Sequence, residues 1–463
     1  MTPAPLAAAG LDTGDTAWLL AATALVLLMT PGLALFYGGM VRAKSVLNML
    51  MMSFVAIALV TVVWLVAGYS LVFGDDSFAG LIGGFDHLGL VDIGPDSVTG
   101  GVPTLLFGTF HLTFAILAAS LISGAVADRM RFAAWVAFVP LWTLLVYVPV
   151  AHWVWGPGGW ITRTLGALDF AGGLVVEIAC GASGLALALV LGPRIGFKKE
   201  AMRPHNLPMV ILGAGLLWFG WLGFNGGSAL RADGLAAAAV LNTLVAGSTG
   251  LLGWLFVEQK RDGHPTTFGA ASGAVAGLVA VTPASGTVGV LGGAGVGLAA
   301  GVVCSYAVAW KFRFDFDDSL DVVGVHFVGG VVGTLLIGVF ATASMTGGPE
   351  GLLYGGGLGL LLKQTVAVLV VTAYTFLVTY GTAKAIDRSM GLRASGDDEL
   401  VGLDRTVHAE SAYDHGVQGF ASPQAHVPGI HPHGTHQHGA HAQVAQAPAA
   451  HANPPTKDRN PPS

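Results

Sequence analysis

The sequence predicts an all-α polytopic membrane protein, and two observations lead to that prediction. Of the 463 residues, 53% are hydrophobic and only 10% are charged, which is too little charge to solvate the surface of a soluble domain of this size. Long apolar runs also recur along most of the chain and far exceed the roughly ten-residue strands of an outer-membrane barrel. Together they exclude a soluble protein.

Eleven apolar segments are long enough to form transmembrane helices. A tail of residues 1–15 precedes them; it contains Asp12 and Asp15 but neither Lys nor Arg, so it lacks the basic start of a signal peptide. The predicted spans cover approximately residues 16–39, 46–73, 104–127, 132–151, 169–192, 206–225, 235–257, 267–282, 287–310, 320–342 and 358–385.

The distribution of charge predicts the orientation of these spans. Every second loop is basic, beginning with the loop that contains Arg42 and Lys44, whereas the alternate loops are mainly acidic. By the positive-inside rule the N-terminus lies outside the cell and the C-terminus inside. Spans five and ten then run in opposite directions, which is typical of an inverted five-plus-five repeat followed by a final helix.

Spans five and ten contain the same unusual pattern of polar residues. Asp169 begins span five and Glu177 follows eight residues later; Asp318 and His326 repeat that spacing in span ten. Eight helical residues advance about 12 Å, and a hydrocarbon core is about 30 Å thick, so the two inner residues should meet near the bilayer midplane. Ionisable residues there indicate a transport path or a proton relay; the alternative is a structural pair bonded within the core.

Other polar features carry less information. The two cysteines, Cys180 and Cys304, lie in apolar segments without metal-ligand spacing, so we interpret them as packing residues and predict no metal site. Residues 416–463 are rich in His, Pro and Ala, which predicts disorder. The run from His431 to His441 could bind divalent metal weakly or be a solvated tail. We assign no function to His111, His152 or His205.

Several blocks of the sequence resemble the ammonium transporter family (Amt/Mep/Rh), in its bacterial Amt-type form. The resemblance extends in order over residues from about 16 to 415. The blocks that carry it are Pro31–Gly39, Ala127–Phe132, Ala151–Trp155, Gly166–Gly173, Pro204–Pro208, Gly220–Ser228, Val281–Pro283 and Gly324–His326.

The resemblance implies a homotrimer of eleven-span subunits in the inner (plasma) membrane, each moving ammonium through its own narrow pore over residues 16–390, without cofactor or enzymatic centre. Matching positions imply an outer recruitment site at Trp155, Phe114 and Ser228, with Phe110 nearby and Asp169 organising the site. They also imply a gate of two stacked rings, Phe114 and Phe224, and pore-lining or supporting roles for Trp221 and Thr282.

These residue types suit the transport of ammonium or methylammonium. Aromatic faces stabilise a cation by roughly 0.5–2 kcal/mol each, and the Ser228 hydroxyl can accept a hydrogen bond from N–H. These contacts cannot offset the tens of kcal/mol that a bare cation would require in hydrocarbon. Ammonium is therefore expected to lose a proton and to cross as ammonia, the proton being left outside or relayed separately.

The sequence departs from the family at one pore position. The family usually has two facing histidines; His326 matches the second, but Glu177 occupies the first position, as in some fungal members. Two such groups in contact titrate as a coupled pair. Our hypothesis is that this pair relays protons and favours electrogenic transport.

Residues 391–415 resemble the family's cytoplasmic regulatory segment, which implies a PII-type nitrogen regulator as a partner; packing within the protein's own trimer is the alternative. Two other functions stay open: an ammonium receptor that signals through this segment with little flux, and a gas channel of the Rh branch. An intramembrane enzyme is disfavoured because no nucleophile or metal set accompanies Glu177 and His326. Nothing in the sequence indicates nucleic-acid binding.

Overall fold

The fold is a bundle of long apolar helices, seen here in a computed structural model that describes residues 10–413. The principal helices are α1 (Thr13–Met40), α2 (Ala43–Phe73), α3 (Thr104–Val126), α4 (Phe132–Trp155), α5 (Gly173–Leu191), α6 (Leu207–Gly227), α7 (Gly234–Arg261), α8 (Thr267–Val281), α9 (Val290–Phe314), α10 (Val323–Phe340) and α11 (Gly359–Met390). Two short helices, α12 (Gly396–Val401) and α13 (Leu403–His408), follow.

Each of the eleven predicted apolar segments forms a helix. Ten of them are long and apolar enough to cross a membrane, and the shorter one, α8, has 15 residues. A two-stranded antiparallel hairpin, β1 (Val98–Thr99) with β2 (Val102–Pro103), precedes α3. The predicted tail of residues 416–463, with its histidine run, and the first nine residues of the N-terminal tail lie outside the described residues.

Close approach between helices depends on glycine at particular positions. A Cβ on Gly213 of α6 would collide with the backbone of Phe36 in α1, and a Cβ on Gly301 of α9 would collide with the Gly250 carbonyl in α7. Small residues at such crossings let two backbones pack directly against each other. The glycine content of the chain therefore serves the packing of the bundle.

The helices α5 and α10 begin in the same unusual way, with a wide π-helical turn. The turns cover Gly173–Ile178 and Val323–Phe327 and include Glu177 and His326, respectively. Asp169 Oδ2 accepts a hydrogen bond from the Leu174 N–H at 2.7 Å, and Asp318 Oδ2 accepts one from the Val323 N–H at the same distance. The repeated acids thus bind the free N–H groups at two equivalent helix starts.

The basic loops lie together at one end of the bundle, which we call the basic end (Arg42, Arg129, Arg194, Lys311 and Arg393). A network of ion pairs and hydrogen bonds joins the loops there. Arg194 binds Asp317 at 2.8 Å and approaches Asp128 at 3.6 Å, while Arg42 binds Asp128 at 2.9 Å. Arg129 is fully buried and donates to the Gly192 carbonyl at 2.9 Å. Four separate interhelical loops are therefore connected by ion pairs.

The Arg194–Asp317 pair should stabilise the fold in a pH-dependent way. Burial alone would raise the pKa of Asp317, but the hydrogen bond and positive charge of Arg194 outweigh it, and the pKa lies below its ordinary value of 3.8. A depressed folded-state pKa gives stability that is present above the unfolded value and is lost as the pH falls through the folded value.

We expect Asp317→Asn to lower the free energy of unfolding by about 3 kcal/mol at neutral pH, because it leaves the Arg194 charge buried without its partner. Thermal unfolding in detergent at pH 7 and at pH 3 measures the effect, with the exposed Asp397→Asn as control. The difference between wild type and Asp317→Asn should shrink at the lower pH. An equal difference at both values would contradict this account.

Candidate functional site

A cavity of about 390 Å³ opens at the end of the bundle opposite the basic end. We call it the vestibule and define it by Phe110, His111, Phe114, Trp155, Asp169 and Ser228, which are among its lining residues. It lies where α3 begins and where α4 and α6 end, so three helix termini supply its walls. The charged residues that line it are Asp169 and Arg231, and Arg231 pairs weakly with Asp233 at 3.5 Å.

The aromatic side chains predicted to recruit a cation stand together in the vestibule. The rings of Phe114 and Trp155 meet edge to face with centroids 5.9 Å apart, and Phe110 contacts Phe114 at 4.8 Å. Ser228 donates its hydroxyl hydrogen to the Phe224 carbonyl at 2.8 Å. That bond leaves the hydroxyl lone pairs available to accept a hydrogen bond from a donor in the cavity.

Asp169 organises the wall of the vestibule through the backbone. Its carboxylate accepts from the N–H groups of Gly172, Gly173 and Leu174 at 2.7–2.8 Å. The indole N–H of Trp155 reaches the Asp169 carbonyl at 3.4 Å. Asp169 therefore caps the start of α5, and the same residue holds the Trp155 ring against that helix start.

Two phenyl rings close the floor of the vestibule. Phe114 and Phe224 are stacked with centroids 4.0 Å apart and an angle of 28° between their planes. Phe114 is 1% exposed and Phe224 is fully buried. The rings thus leave no space between them for a solvated ion.

Trp221 and Thr282 support the second ring from below. The Trp221 indole donates to the Thr282 hydroxyl at 2.8 Å, and its ring lies 5.9 Å from Phe224. Thr282 in turn donates to the Leu278 carbonyl at 2.8 Å. These bonds fix the Trp221 ring and, through it, the position of Phe224.

Glu177 and His326 meet in the core of the bundle, as their matched spacing predicts. The distance from Glu177 Oε2 to His326 Nδ1 is 2.8 Å. Glu177 is 1% exposed and His326 is 3% exposed. The other carboxylate oxygen, Oε1, is buried without a hydrogen-bond partner among residues 10–413. The pair is therefore a buried contact between an acid and an imidazole from the two repeats.

A narrow cleft of about 10 Å³ approaches His326 from the basic end. Tyr37, Met40 and Asp321 are among its lining residues, together with His326. The volume corresponds to roughly one water molecule. The cleft thus approaches the buried pair at His326.

Comparison with known proteins decides the family. The model of the Ammonium Transporter Family matches residues 17–413, which is most of the chain. The chain belongs to the ammonium transporter family. This finding confirms the resemblance over almost the same residues that the sequence blocks indicated.

Relatives in the ammonium transporter family are similar along nearly their whole length. The ammonium transporter of Mycobacterium tuberculosis (strain ATCC 25618 / H37Rv) is 50% identical over 439 residues, which cover 88% of this chain and 91% of that protein. The ammonium transporter of Bacillus subtilis (strain 168) is 47% identical over 407 residues, with 87% of this chain and 99% of that protein covered.

Solved structures of family members share the fold. Saccharomyces cerevisiae Mep2 superposes with a TM-score of 0.79 at 34% identity, covering 84% of this chain and 88% of that chain. A protein described as a sensor Amt protein superposes with a TM-score of 0.78 at 29% identity, covering 84% of this chain and 97% of that chain. The family fold therefore occurs in proteins described in different functional terms.

One vestibule residue of this family member, His111, was missed by the sequence analysis. Its Nδ1 lies 2.9 Å from the Phe107 carbonyl, and its ring centroid is 5.7 Å from that of Trp155. Nδ1 must therefore carry the hydrogen, which leaves Nε2 as an acceptor in the neutral ring. Phe107, His111 and Phe114 recur at the helical spacing of one face, and that periodicity could have identified His111.

We expect Asp169→Ala to destabilise this family member by about 2 kcal/mol or more, since three N–H groups at the start of α5 lose their acceptor. Asp169→Asn keeps one side-chain oxygen and should lose less. Thermal unfolding in detergent measures both variants. Equal losses for the two variants would contradict the capping explanation.

Proposed function

We propose that this protein is an ammonium transporter that recruits ammonium in the vestibule, deprotonates it and passes ammonia through a hydrophobic pore. Family membership supports the substrate class. The observation that carries the mechanism is the order of groups in the core: an aromatic vestibule, a stacked phenyl pair, and a buried acid–imidazole pair. Each group suits one step of that process, and we expect no covalent chemistry.

The vestibule suits recruitment because it combines aromatic faces with hydrogen-bond acceptors. Phe114 and Trp155 can stabilise a cation by roughly 0.5–2 kcal/mol each, while Ser228 and His111 can accept N–H bonds. Potassium has the same charge and nearly the same size but donates no hydrogen bonds. The acceptors therefore favour ammonium, and methylammonium with it, over potassium.

The phenyl pair suits the passage of a neutral molecule. A bare cation between the rings would lose its hydration with little compensation, at a cost of tens of kcal/mol in the limit of a low dielectric medium. Ammonia bears no charge and avoids that cost. The proton must therefore leave ammonium on the vestibule side of Phe114 and Phe224.

The Glu177–His326 pair is proposed to relay that proton separately from ammonia. A carboxyl and an imidazole in hydrogen-bond contact can exchange one proton without leaving either group charged and alone. The cleft beside His326 would receive the proton at the basic end. Transport would then move one net charge for each ammonia molecule and would be electrogenic.

We propose that the subunit has eleven spans, with the N-terminus outside and the C-terminus in the cytoplasm, and assembles as a homotrimer in the inner membrane. The clustering of basic loops at one end supports the orientation by the positive-inside rule. Mass measurement of the detergent-solubilised protein tests the trimer. A mass corresponding to a single chain would contradict it.

The C-terminal segment, residues 391–415, is proposed to be regulatory. Glu399 is 1% exposed and accepts from the Ile195 N–H at 2.6 Å and from Arg393 at 2.8 Å. Asp404 accepts from the N–H groups of Leu47 and Asn48 at 3.1 and 2.8 Å. A PII-type regulator that displaced this segment would act directly on the start of α2; a binding measurement with such a protein tests that partner.

A sensor with little flux is the second candidate, favoured by the likeness to the protein described as a sensor Amt protein and by the docked C-terminal segment. Uptake of radiolabelled methylammonium into cells that lack their own ammonium transporters separates the two functions. Sustained uptake supports transport. Binding without uptake supports the sensor.

We expect Glu177→Gln to lower ammonium-evoked current by about 10²-fold or more, because an amide cannot take up and release the proton. Reconstituted protein on a solid-supported membrane provides the measurement. Glu177→His restores a titratable group and should recover part of the current. Glu200→Gln makes the same chemical change at an exposed position outside residues 391–415 and serves as control; full current in Glu177→Gln would refute the relay.

We expect His111→Leu to raise the ammonium concentration for half-maximal current about fivefold to tenfold, the equivalent of one hydrogen bond of about 1 kcal/mol. His111→Gln retains an acceptor and should restore most of the affinity. The inhibition constant of potassium should be unchanged in both variants, since potassium has no N–H to donate, so potassium should inhibit His111→Leu more strongly at a fixed ammonium concentration. If Leu and Gln behave alike, His111 serves packing only.

A further inference from the structure

A third side chain lies beside the Glu177–His326 pair and takes no part in the proposed relay. The Sγ atom of Cys180, a carboxylate oxygen of Glu177 and a ring nitrogen of His326 all lie within 4.8 Å of one another. All three residues are buried. The sequence analysis interpreted Cys180 as a packing residue, because it lies in an apolar segment without metal-ligand spacing.

The local fold explains why the three donors converge. Glu177 and Cys180 are three residues apart at the start of α5, so they lie on one face of that helix. His326 faces them from the start of α10. In addition, Glu177 Oε1 is buried without a partner among the described residues. The cluster thus contains one polar atom with unused capacity to bind.

We propose that Glu177, Cys180 and His326 bind a thiophilic divalent metal ion such as zinc or cadmium, and that the bound ion blocks the pore. Carboxylate, thiolate and imidazole are the three ligand types that zinc accepts, in tetrahedral sites with three protein ligands and a water. Two anionic ligands neutralise a divalent ion, so the occupied site carries no net charge into the core. That balance removes the main cost of a buried ion.

Metal binding at this cluster releases two protons. One leaves the Cys180 thiol, and the other is the proton shared between Glu177 and His326. The metal then occupies the position through which the proposed relay would run. Ligands must be deprotonated to bind, so the affinity should fall as the pH is lowered.

The cleft that reaches His326 would give the ion an approach from the basic end. Met40, Tyr37 and Asp321 are among the residues that line it, and Asp321 also pairs with Lys311 at 2.6 Å. Sulfur and oxygen atoms there can replace part of the hydration shell of an entering cation. The cleft holds roughly one water molecule, which is the size of a dehydrated ion.

Titration of the purified full-length protein with cadmium tests the site directly, with the ultraviolet thiolate-to-cadmium charge-transfer band as readout. Histidines outside the cluster, including the C-terminal run, do not produce this band. We expect saturation at one ion per chain in wild type and in Cys304→Ala, and loss of the band in Cys180→Ala. Glu177→Gln should weaken the affinity by at least about tenfold.

The outcome is informative whether or not transport occurs. Unfolding the protein with cadmium present exposes both cysteines, and a band that forms only then overturns the proposal while showing that the thiols are reduced. A band that persists in Cys180→Ala but disappears in Cys304→Ala overturns it as well.

Uptake measured with and without cadmium tests the block separately. Inhibition should be strong in wild type and Cys304→Ala and lost in Cys180→Ala, each compared with its own uptake without metal. Binding without inhibition would refute the block but not the site. If neither the wild type nor any variant took up substrate in the absence of cadmium, that result would instead count against the proposed transport function.

Discussion

The contact between Glu177 and His326 is the interaction on which the rest of the structure depends. It joins two helices that begin in the same way, each with an acid that binds backbone N–H groups and with a wide first turn. Neither side chain would be tolerated alone in an apolar core, because an unpaired charge there costs several kcal/mol. Because the two repeats bring Glu177 and His326 into contact, each side chain has a hydrogen-bond partner in the core. The result is a protonatable contact in the centre of the bundle.

The architecture separates two tasks that conflict physically. Binding a cation selectively requires aromatic faces and acceptors near water, whereas crossing hydrocarbon favours a neutral molecule. The vestibule provides the first environment, and the stacked rings of Phe114 and Phe224 provide the second. Asp169 stands at the boundary between them, because it fixes the start of α5 while its carbonyl accepts from Trp155. A single acid thus places the vestibule wall relative to the helix that carries Glu177.

Much of the fold could be predicted from the sequence because apolar length and loop charge are strong local signals. The spans, the repeated spacing of Asp169 and Asp318, and the meeting of Glu177 with His326 all followed from such signals. The π-helical turns at Gly173–Ile178 and Val323–Phe327 did not. His111 and Cys180 were passed over although each has a same-helix signal, because contacts with Trp155 and His326 on other helices are what place them beside the vestibule and the buried pair. The family resemblance supplied the roles of Trp155 and Phe114, which periodicity alone would have assigned to packing.

The C-terminal segment has a consequence for the maturation of the chain. Asp404 supplies the acceptor for the Leu47 and Asn48 N–H groups near the start of α2, and Lys44 reaches the carbonyls of Glu399 and Leu400. The N–H groups near the start of α2 thus find their acceptor only in residues close to the end of the described chain. A ribosome-bound or truncated chain would present those amides unprotected, so this junction distinguishes a finished subunit from an unfinished one.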